Sequence, residues 1–456
     1  MYQRLHDSLV RSRRAAPPRG RARLRPPSHD PGRRSRRIAD RSGRKRGGNP
    51  VRTTHGPRAE GDQAIHACAS GQEDISIVNR TKAVGLAGLA CAMLTLGVTA
   101  PAAAGSDRPR FGDVQEALTE LAASSKVVGA IGAVYVDGKR VDQGTGGTRL
   151  LDDKGGKIPP TARYRIGSQT KLMTGTVILQ LVKEKKFALD TKLSELLPVV
   201  VEQDLVKLAD QITLQQMLQH TSGIPNLPAA DIFGDTTYRT PLEMVKQTSD
   251  LERTGEPGAQ FSYSNTNYFL LGLIIERYTK HTVAAEFERR LFDKLDMDKT
   301  YLPVKPPGGI KGPHGHGYYP DKDGKLRDVD RQNMSHGYAA AGVISTSDDV
   351  SAFHRALVKN QLLPEELTQV LLGRLLPKEQ PAKTASKPAA NGRICDGKGG
   401  YFGVTGGGPG NKSTTYNTPD GRVQFALSAT LAASNLDPDL DPLMEKAAEA
   451  ILCPSN

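Results

Sequence analysis

The chain has 456 residues, enough for one large domain or two to three ordinary ones, and a formal net charge of +13. The charge is confined to one end: residues 1–104 hold 20 Lys and Arg against 7 Asp and Glu, and the remainder holds 42 of each. A formally neutral globular part gives no footing for nucleic-acid binding, so no nucleic-acid partner is expected.

Residues 1–77 form a basic extension rich in Arg, Gly, Pro and Ser, with runs such as Arg33-Arg34-Ser35-Arg36-Arg37. It has almost no apolar periodicity. Such a segment buries too little surface to offset its chain entropy and is expected to be disordered. One reading is a basic arm for RNA or anionic lipid. The other is a start site assigned too far upstream, because a secretory pattern begins only at residue 78. Asn79-Arg80-Thr81-Lys82 is a basic region, Ala83 to Val98 an apolar run of 16 residues, and Pro101-Ala102-Ala103-Ala104 a small-residue cleavage region. The run is short of the about 20 residues that a spanning helix needs. Residues 78–104 are therefore read as a signal peptide. The expected product is secreted, extracellular, without a stable membrane anchor after cleavage, and a monomer. Cys68 and Cys91 lie in the leader, which leaves Cys395 and Cys453 as the only pair in residues 105–456. An oxidising compartment permits one disulfide between them; the alternative is two buried thiols.

Within 105–456, Phe111 to Ser124 has helical spacing through Val114, Leu118 and Leu121. Val127 to Val136 is apolar and β-branched, and Asp137-Gly138 turns it into a second strand, Lys139 to Gly144. Tyr164-Arg165-Ile166-Gly167 leads into a buried helix from Ser168 to about Glu184. Residues 185–334 read as a mostly helical lobe, with helices over Thr213 to Gln219, Pro241 to Gln247 and Tyr268 to Tyr278. Strands Thr414 to Thr418 and Val423 to Thr430 flank Pro419-Asp420-Gly421, and Leu440 to Leu452 is a terminal helix. The order implies an α+β fold. An antiparallel sheet flanked by N- and C-terminal helices is formed by about 105–184 and 335–456, and the helical lobe is inserted at 185–334.

Three short motifs carry chemistry. In Ser168-Gln169-Thr170-Lys171, a lysine three residues past a serine lies on the same helix face and can reach its hydroxyl. In Tyr263-Ser264-Asn265, a tyrosine near a lysine ammonium can work as a base, and the asparagine can hold a substrate amide. In Gly403 to Gly410, glycines let a substrate backbone approach a strand edge, Thr405 offers a hydroxyl and Gly407 an N–H. A phosphate-cradling loop is the rival reading of the glycines, but no Gly-Lys-Ser/Thr ending follows.

Ser-x-x-Lys, Tyr-x-Asn and x-Thr-Gly in this order resemble the penicillin-recognising serine enzymes, in particular the class C β-lactamases and the related D-alanyl-D-alanine carboxypeptidases. Leu218 to Pro225 (Leu-Gln-His-Thr-Ser-Gly-Ile-Pro), Pro257 to Asn265 and Ala340 to Asp349 are similar to that family as well, so the resemblance covers about residues 112–453. It implies a β-lactamase/transpeptidase-like fold. It also implies a Ser168 acyl-enzyme, proton transfer by Lys171 and Tyr263, and substrate contacts from Asn265, Thr405, Gly406 and Gly407. The Ser168 and Gly407 N–H groups would face the oxyanion. The Cys395–Cys453 pair fits a disulfide of secreted members. No metal and no cofactor are implied. The expected partner is a peptidoglycan peptide, a β-lactam or an ester. The leading expectation is a carboxypeptidase; a β-lactamase or esterase, and a non-catalytic peptidoglycan- or penicillin-binding module, are the alternatives.

Val404 departs from the pattern, since the family usually has Lys or His before Thr-Gly. Altered recognition of a substrate carboxylate is expected, with Lys412 or Arg393 as substitute anion partners. His220 is expected to be structural. His314-Gly315-His316 has metal-like spacing without a completing cluster in the sequence and reads as a loop. Asp321-Lys322-Asp323-Gly324 reads as a hairpin turn, not a calcium loop. His336 and Tyr338 are candidates to line a cleft.

Overall fold

Asp137 (φ 51°) and Gly138 (φ 79°) both adopt the left-handed backbone that a two-residue hairpin turn requires, and they set the register of the first two strands. The structure, a computed structural model, describes residues 109–454 apart from 230, 235–236, 304–308, 374–393 and 396–399. The basic extension, the expected signal peptide (78–104) and Arg393 lie outside the described residues. Among the described residues no helix is long and apolar enough to cross a membrane.

Helix α1 (Val114–Ala122) starts at Asp113, whose side chain accepts the Glu116 N–H at 2.8 Å. Strands β1 (Val127–Val136) and β2 (Lys139–Gly147) follow. β2 runs three residues past the expected Gly144. Its glycines have little strand propensity, but Gly146 lies so close under α1 that a Cβ would stand 1.9 Å from the Leu118 carbonyl oxygen. β3 (Tyr164–Arg165) leads into a 3₁₀ turn, Gly167–Gln169, and then helix α2 (Thr170–Lys183). Ser168 therefore sits on a tight turn that precedes the α-helix, where a regular helix from Ser168 was expected. Gly167 makes the turn with φ 54°. α2 is buried on all sides from Thr170 to Leu181.

In the lobe, the capping boxes Thr213/Gln216 and Thr240/Glu243 start the short helices Leu214–Leu218 and Pro241–Lys246. Helix α3 (Asn265–Thr279) ends at Lys280 in the left-handed region. The lobe is not wholly helical: β4 (Tyr318–Pro320) and β5 (Leu326–Asp328) pair around Asp321 to Gly324. β6 (Ile344–Ser345) pairs with β3, and Thr346 caps helix α4 (Ser347–Val358) by accepting the Asp349 N–H. β7 (Phe402–Gly408), β8 (Asn411–Asn417), β9 (Val423–Leu431) and helix α5 (Leu440–Leu452) complete the chain.

The main sheet is antiparallel throughout, in the order β2-β1-β9-β8-β7. Its strands alternate between two cores, as a period of two dictates. Ala130, Val134, Phe425 and Leu427 pack with α1 and α5, whereas Ile131, Phe402, Val404 and Ala426 join the larger core around α2 and α3. Among the described residues β7 is an edge strand. Cys395 and Cys453 are joined by a disulfide (Cα–Cα 5.5 Å) that ties the end of α5 to the segment before β7.

Candidate active site

Three separate elements place Ser168, Lys171 and Tyr263 on one another. Ser168 Oγ is 2.7 Å from the Tyr263 hydroxyl and 3.2 Å from Lys171 Nζ. Lys171 is buried in the first turn of α2, and burial lowers its ammonium pKa from the usual 10.5 to about 7. Two acceptors surround it: Asn265 Oδ1 at 2.7 Å and the Ala340 carbonyl oxygen at 2.9 Å. A neutral amine has two N–H groups and one lone pair. The two N–H groups are taken by these acceptors, so the lone pair is left for the Ser168 O–H. The Tyr263 O–H then has the Ser168 oxygen as its acceptor. The arrangement can remove a proton from Ser168 while a second acid stands on the other side of the same oxygen.

The Tyr263–Asn265 loop is held by the segment Leu218 to Asn226. His220 Nδ1 accepts the Ser264 N–H at 3.1 Å, and its ring stacks on Tyr263 with centroids 4.6 Å apart. Asn226 Oδ1 accepts the Asn265 N–H at 2.8 Å, and the Pro225 carbonyl accepts both the Ser264 and Thr266 hydroxyls. His220 is thus a support of Tyr263 and makes no hydrogen bond to Ser168 among the described contacts. Tyr338 packs on Phe269 of α3 and starts the short helix Tyr338–Ala341, whose Ala340 carbonyl meets Lys171. His336 lies in the preceding 3₁₀ turn.

β7 closes the site from the other side. A Cβ on Gly167 would stand 2.4 Å from the Gly407 nitrogen, and one on Gly406 2.7 Å from the Ser168 nitrogen. Only glycines permit this approach, which brings the Ser168 and Gly407 amide groups together. Thr405 is exposed, with Oγ1 3.1 Å from Thr414 Oγ1. Val404 is buried in the larger core and brings no charge to the site. Lys412 does not replace it. Its side chain lies on the opposite face of β8 from Ser413 and pairs with Asp441 of α5 at 2.6 Å. The anion-partner expectation for Lys412 is therefore corrected, because the alternation of the strand turns it away.

Behind Ser168 is a buried polar layer that sequence reading missed. Gln169 Oε1 accepts from Thr415 Oγ1 at 2.8 Å and from His354 Nε2 at 3.1 Å, while its Nε2 donates to Ser413 Oγ at 2.9 Å. Ser413 donates in turn to the Ile166 carbonyl oxygen at 3.2 Å. Asn417 Nδ2 donates to His354 Nδ1 at 3.1 Å, which fixes the proton on Nε2. The alternate polar residues Ser413, Thr415 and Asn417 on one face of β8 were the available signal.

The family model described as Beta-lactamase matches residues 114–449. The chain belongs to the β-lactamase family. That family comprises serine hydrolases and penicillin-binding proteins, and the chain has its β-lactamase/transpeptidase fold. Protein flp of Staphylococcus aureus (strain N315) is 34% identical over 149 residues, 32% of this chain and 30% of that protein. Penicillin-binding protein 4 of Amycolatopsis lactamdurans is 30% identical over 188 residues, 41% of this chain and 48% of that protein. The chain thus spans less than half the length of either curated relative. The crystal structure of D-stereospecific amidohydrolase from Streptomyces sp. superposes on this β-lactamase-family chain with TM-score 0.62 at 27% identity, covering 75% of this chain and 98% of that one.

Proposed function

We propose that the protein is an exported acyl-enzyme hydrolase that cleaves amide or ester bonds of D-aminoacyl compounds without requiring a carboxylate on the leaving group. The observation that carries the leaving-group part is Val404. The position that in the resembling enzymes usually holds Lys or His is a buried aliphatic, and Lys412 is taken by Asp441. The likeness to the D-stereospecific amidohydrolase supports the D-aminoacyl part. Export is supported by the signal-like segment 78–104 and the Cys395–Cys453 disulfide.

In this reading, neutral Lys171 takes the Ser168 proton as the oxygen attacks the carbonyl carbon. The Ser168 and Gly407 N–H groups hold the oxyanion, each contributing about 2.7–4 kcal/mol. Tyr263 gives its proton to the leaving nitrogen or oxygen and regains one from Lys171. Asn265 orients the acyl side of the substrate. Water then attacks the acyl-serine ester and the free acid departs. A second reading, D-alanyl-D-alanine carboxypeptidase, follows from the order of the three motifs, and the similarity to Penicillin-binding protein 4 is compatible with it. It shares every step and differs in what leaves.

The test is competition between substrates, with mass spectrometry of the Ser168 peptide. The expected result is an acyl or penicilloyl adduct on Ser168, absent in Ser168→Ala. D-aminoacyl amides and esters are expected to turn over about 10-fold or more faster than a D-Ala-D-Ala peptide, since one missing charge contact is worth about 1–3 kcal/mol. Faster release of D-alanine than of ammonia or alcohol supports the carboxypeptidase. Rapid penicillin turnover supports a β-lactamase. No adduct from any of these compounds sinks both enzyme readings.

A further inference from the structure

His314-Gly315-His316 gains in the fold what it lacks in the sequence. In an extended segment, residues two apart project to one side. Asp328 and Asp330 stand in the same relation at the end of β5 and just beyond it. The two segments run side by side, with the Val329 N–H donating to the Gly317 carbonyl oxygen at 2.9 Å. Each histidine thereby meets a carboxylate. His314 Nε2 is 3.0 Å from Asp330 Oδ1, and His316 Nδ1 is 2.7 Å from Asp328 Oδ2. The two rings lie parallel, with centroids 5.2 Å apart. One ligating atom from each of His314, His316 and Asp330 falls within 4.8 Å of the other two.

The proton inventory of His314 is informative. Its Nδ1 is 2.6 Å from the Gly312 carbonyl oxygen, which can only accept, so Nδ1 carries a hydrogen. In the neutral ring, Nε2 then presents a lone pair to the Asp330 carboxylate. A lone pair facing an anion at 3.0 Å requires a cation between them, either a proton or a metal ion. The Gly312–His314 and Asp328–His316 bonds have the form of the outer contacts that orient metal-binding imidazoles. His314 and Asp330 are 10% and 14% exposed, whereas His316 and Asp328 are 25% and 44% exposed. An ion therefore has an inner wall to sit against and an open side for entry and for a water ligand.

We propose that His314, His316 and Asp330, oriented by Gly312 and Asp328, bind one divalent metal ion of the zinc class. Imidazole and carboxylate donors suit that class. Ligand atoms of a tetrahedral zinc site lie about 3.3 Å apart, and an imidazole lone pair lies in its ring plane, so the site closes when the two parallel rings turn toward a common point and the ligand atoms draw in by about 1–2 Å. The ion would be a brace and not a catalyst. The Asp330 carbonyl accepts from Arg165 Nη2 at 2.7 Å, and Arg165 lies two residues before Gly167. Gln332 Nε2 donates to the Pro409 carbonyl at 2.8 Å in the turn between β7 and β8. The cluster is thus tied to both strands that flank the nucleophile. This inference does not depend on the proposed substrate.

The experiment uses tag-free full-length protein, stripped with a chelator and titrated with Zn²⁺ by calorimetry and with Co²⁺ by visible absorption. One ion per chain and the intense d–d bands of tetrahedral cobalt are expected. Asp330→Asn and His316→Gln should each weaken binding by about 10-fold or more, and His281→Gln should leave it unchanged. Absence of saturable one-to-one binding overturns the proposal and leaves a proton in the cluster; so does binding that Asp330→Asn and His316→Gln do not weaken. Should those variants fail to fold, zinc-edge X-ray absorption of the wild-type protein decides. Two imidazole ligands are expected, and a coordination shell without imidazole overturns the site.

Discussion

Gly406 passes so close to Ile166 that a Cβ on it would stand 2.0 Å from the Ile166 carbonyl oxygen. The same carbonyl accepts the Ser413 hydroxyl, so strand and turn are pinned from two sides. Gly406→Ala must push β7 away from the 3₁₀ turn and carry the Gly407 N–H out of line with the Ser168 N–H. Loss of one such donor costs about 10²–10³ in kcat. The expected outcome is a fall of that size on the best substrate, with KM much less affected. Unchanged kcat in a folded Gly406→Ala protein would show that Gly407 does not serve the oxyanion.

Lys171 gives a pH dependence with a definite sign. Burial lowers its pKa from 10.5 to about 7, so the amine is protonated below that pH and offers Ser168 a lone pair above it. kcat/KM is expected to rise with pH along a limb centred near 7. Lys171→Arg keeps a cation but removes the base, and a loss of about 10²–10⁴ in kcat is expected. A profile flat from pH 5 to 9 in the wild-type enzyme would rule out Lys171 as the titrating base.

The parts of the fold legible in the sequence are those with strong local periodicity. β1 and α5 have the expected bounds, Val127–Val136 and Leu440–Leu452. β8 was expected from Thr414 but starts at Asn411, because the polar stretch Asn411-Lys412-Ser413 is held by pairing with β7 and not by its own propensity. α3 starts at Asn265, three residues before the expected Tyr268, since its buried polar first turn hides the apolar pattern. The spacing of Ser168 and Lys171 was readable because three residues apart on a helical turn is a local fact. Ala340, which gives Lys171 its second acceptor, is a backbone carbonyl far along the chain and leaves no mark in the sequence. The same holds for His314 and Asp330, which face each other only because a hairpin folds between them.

His354 supplies a stability test. Burial lowers its pKa from 6.5 to about 3, so it stays neutral in the folded state where the unfolded chain takes up a proton. The unfolded state binds more protons between about pH 6.5 and 3, and stability must fall as pH is lowered through that window. The loss is at most about 1.4 kcal/mol per pH unit from this one group. His354→Gln, which retains a donor and an acceptor, should show a shallower fall in melting temperature between pH 6.5 and 4. Parallel melting curves for the two proteins would mean that His354 is not buried and neutral behind Gln169.

In the proposed function, Val404 bears on the choice of substrate. It pairs with Thr415 across β7 and β8 and faces the core side of the sheet, close to the Gln169 layer. A lysine in its place can lay its aliphatic stem along the same wall and extend its ammonium toward the cleft, as long cationic side chains do at apolar boundaries. In the proposed function, that returns a cation to the β7 side of the cleft. Val404→Lys is expected to raise the ratio of kcat/KM for a D-Ala-D-Ala peptide over that for a D-aminoacyl amide by about 10- to 100-fold, equivalent to about 1–3 kcal/mol. Much of that change should appear in KM for the carboxylate-bearing substrate, because a fixed charge acts on the bound ground state as well as on the transition state. It should also weaken as salt is raised. If the ratio stays constant in a folded variant, carboxylate recognition rests on other residues, and the missing charge at this strand position does not set what the enzyme accepts.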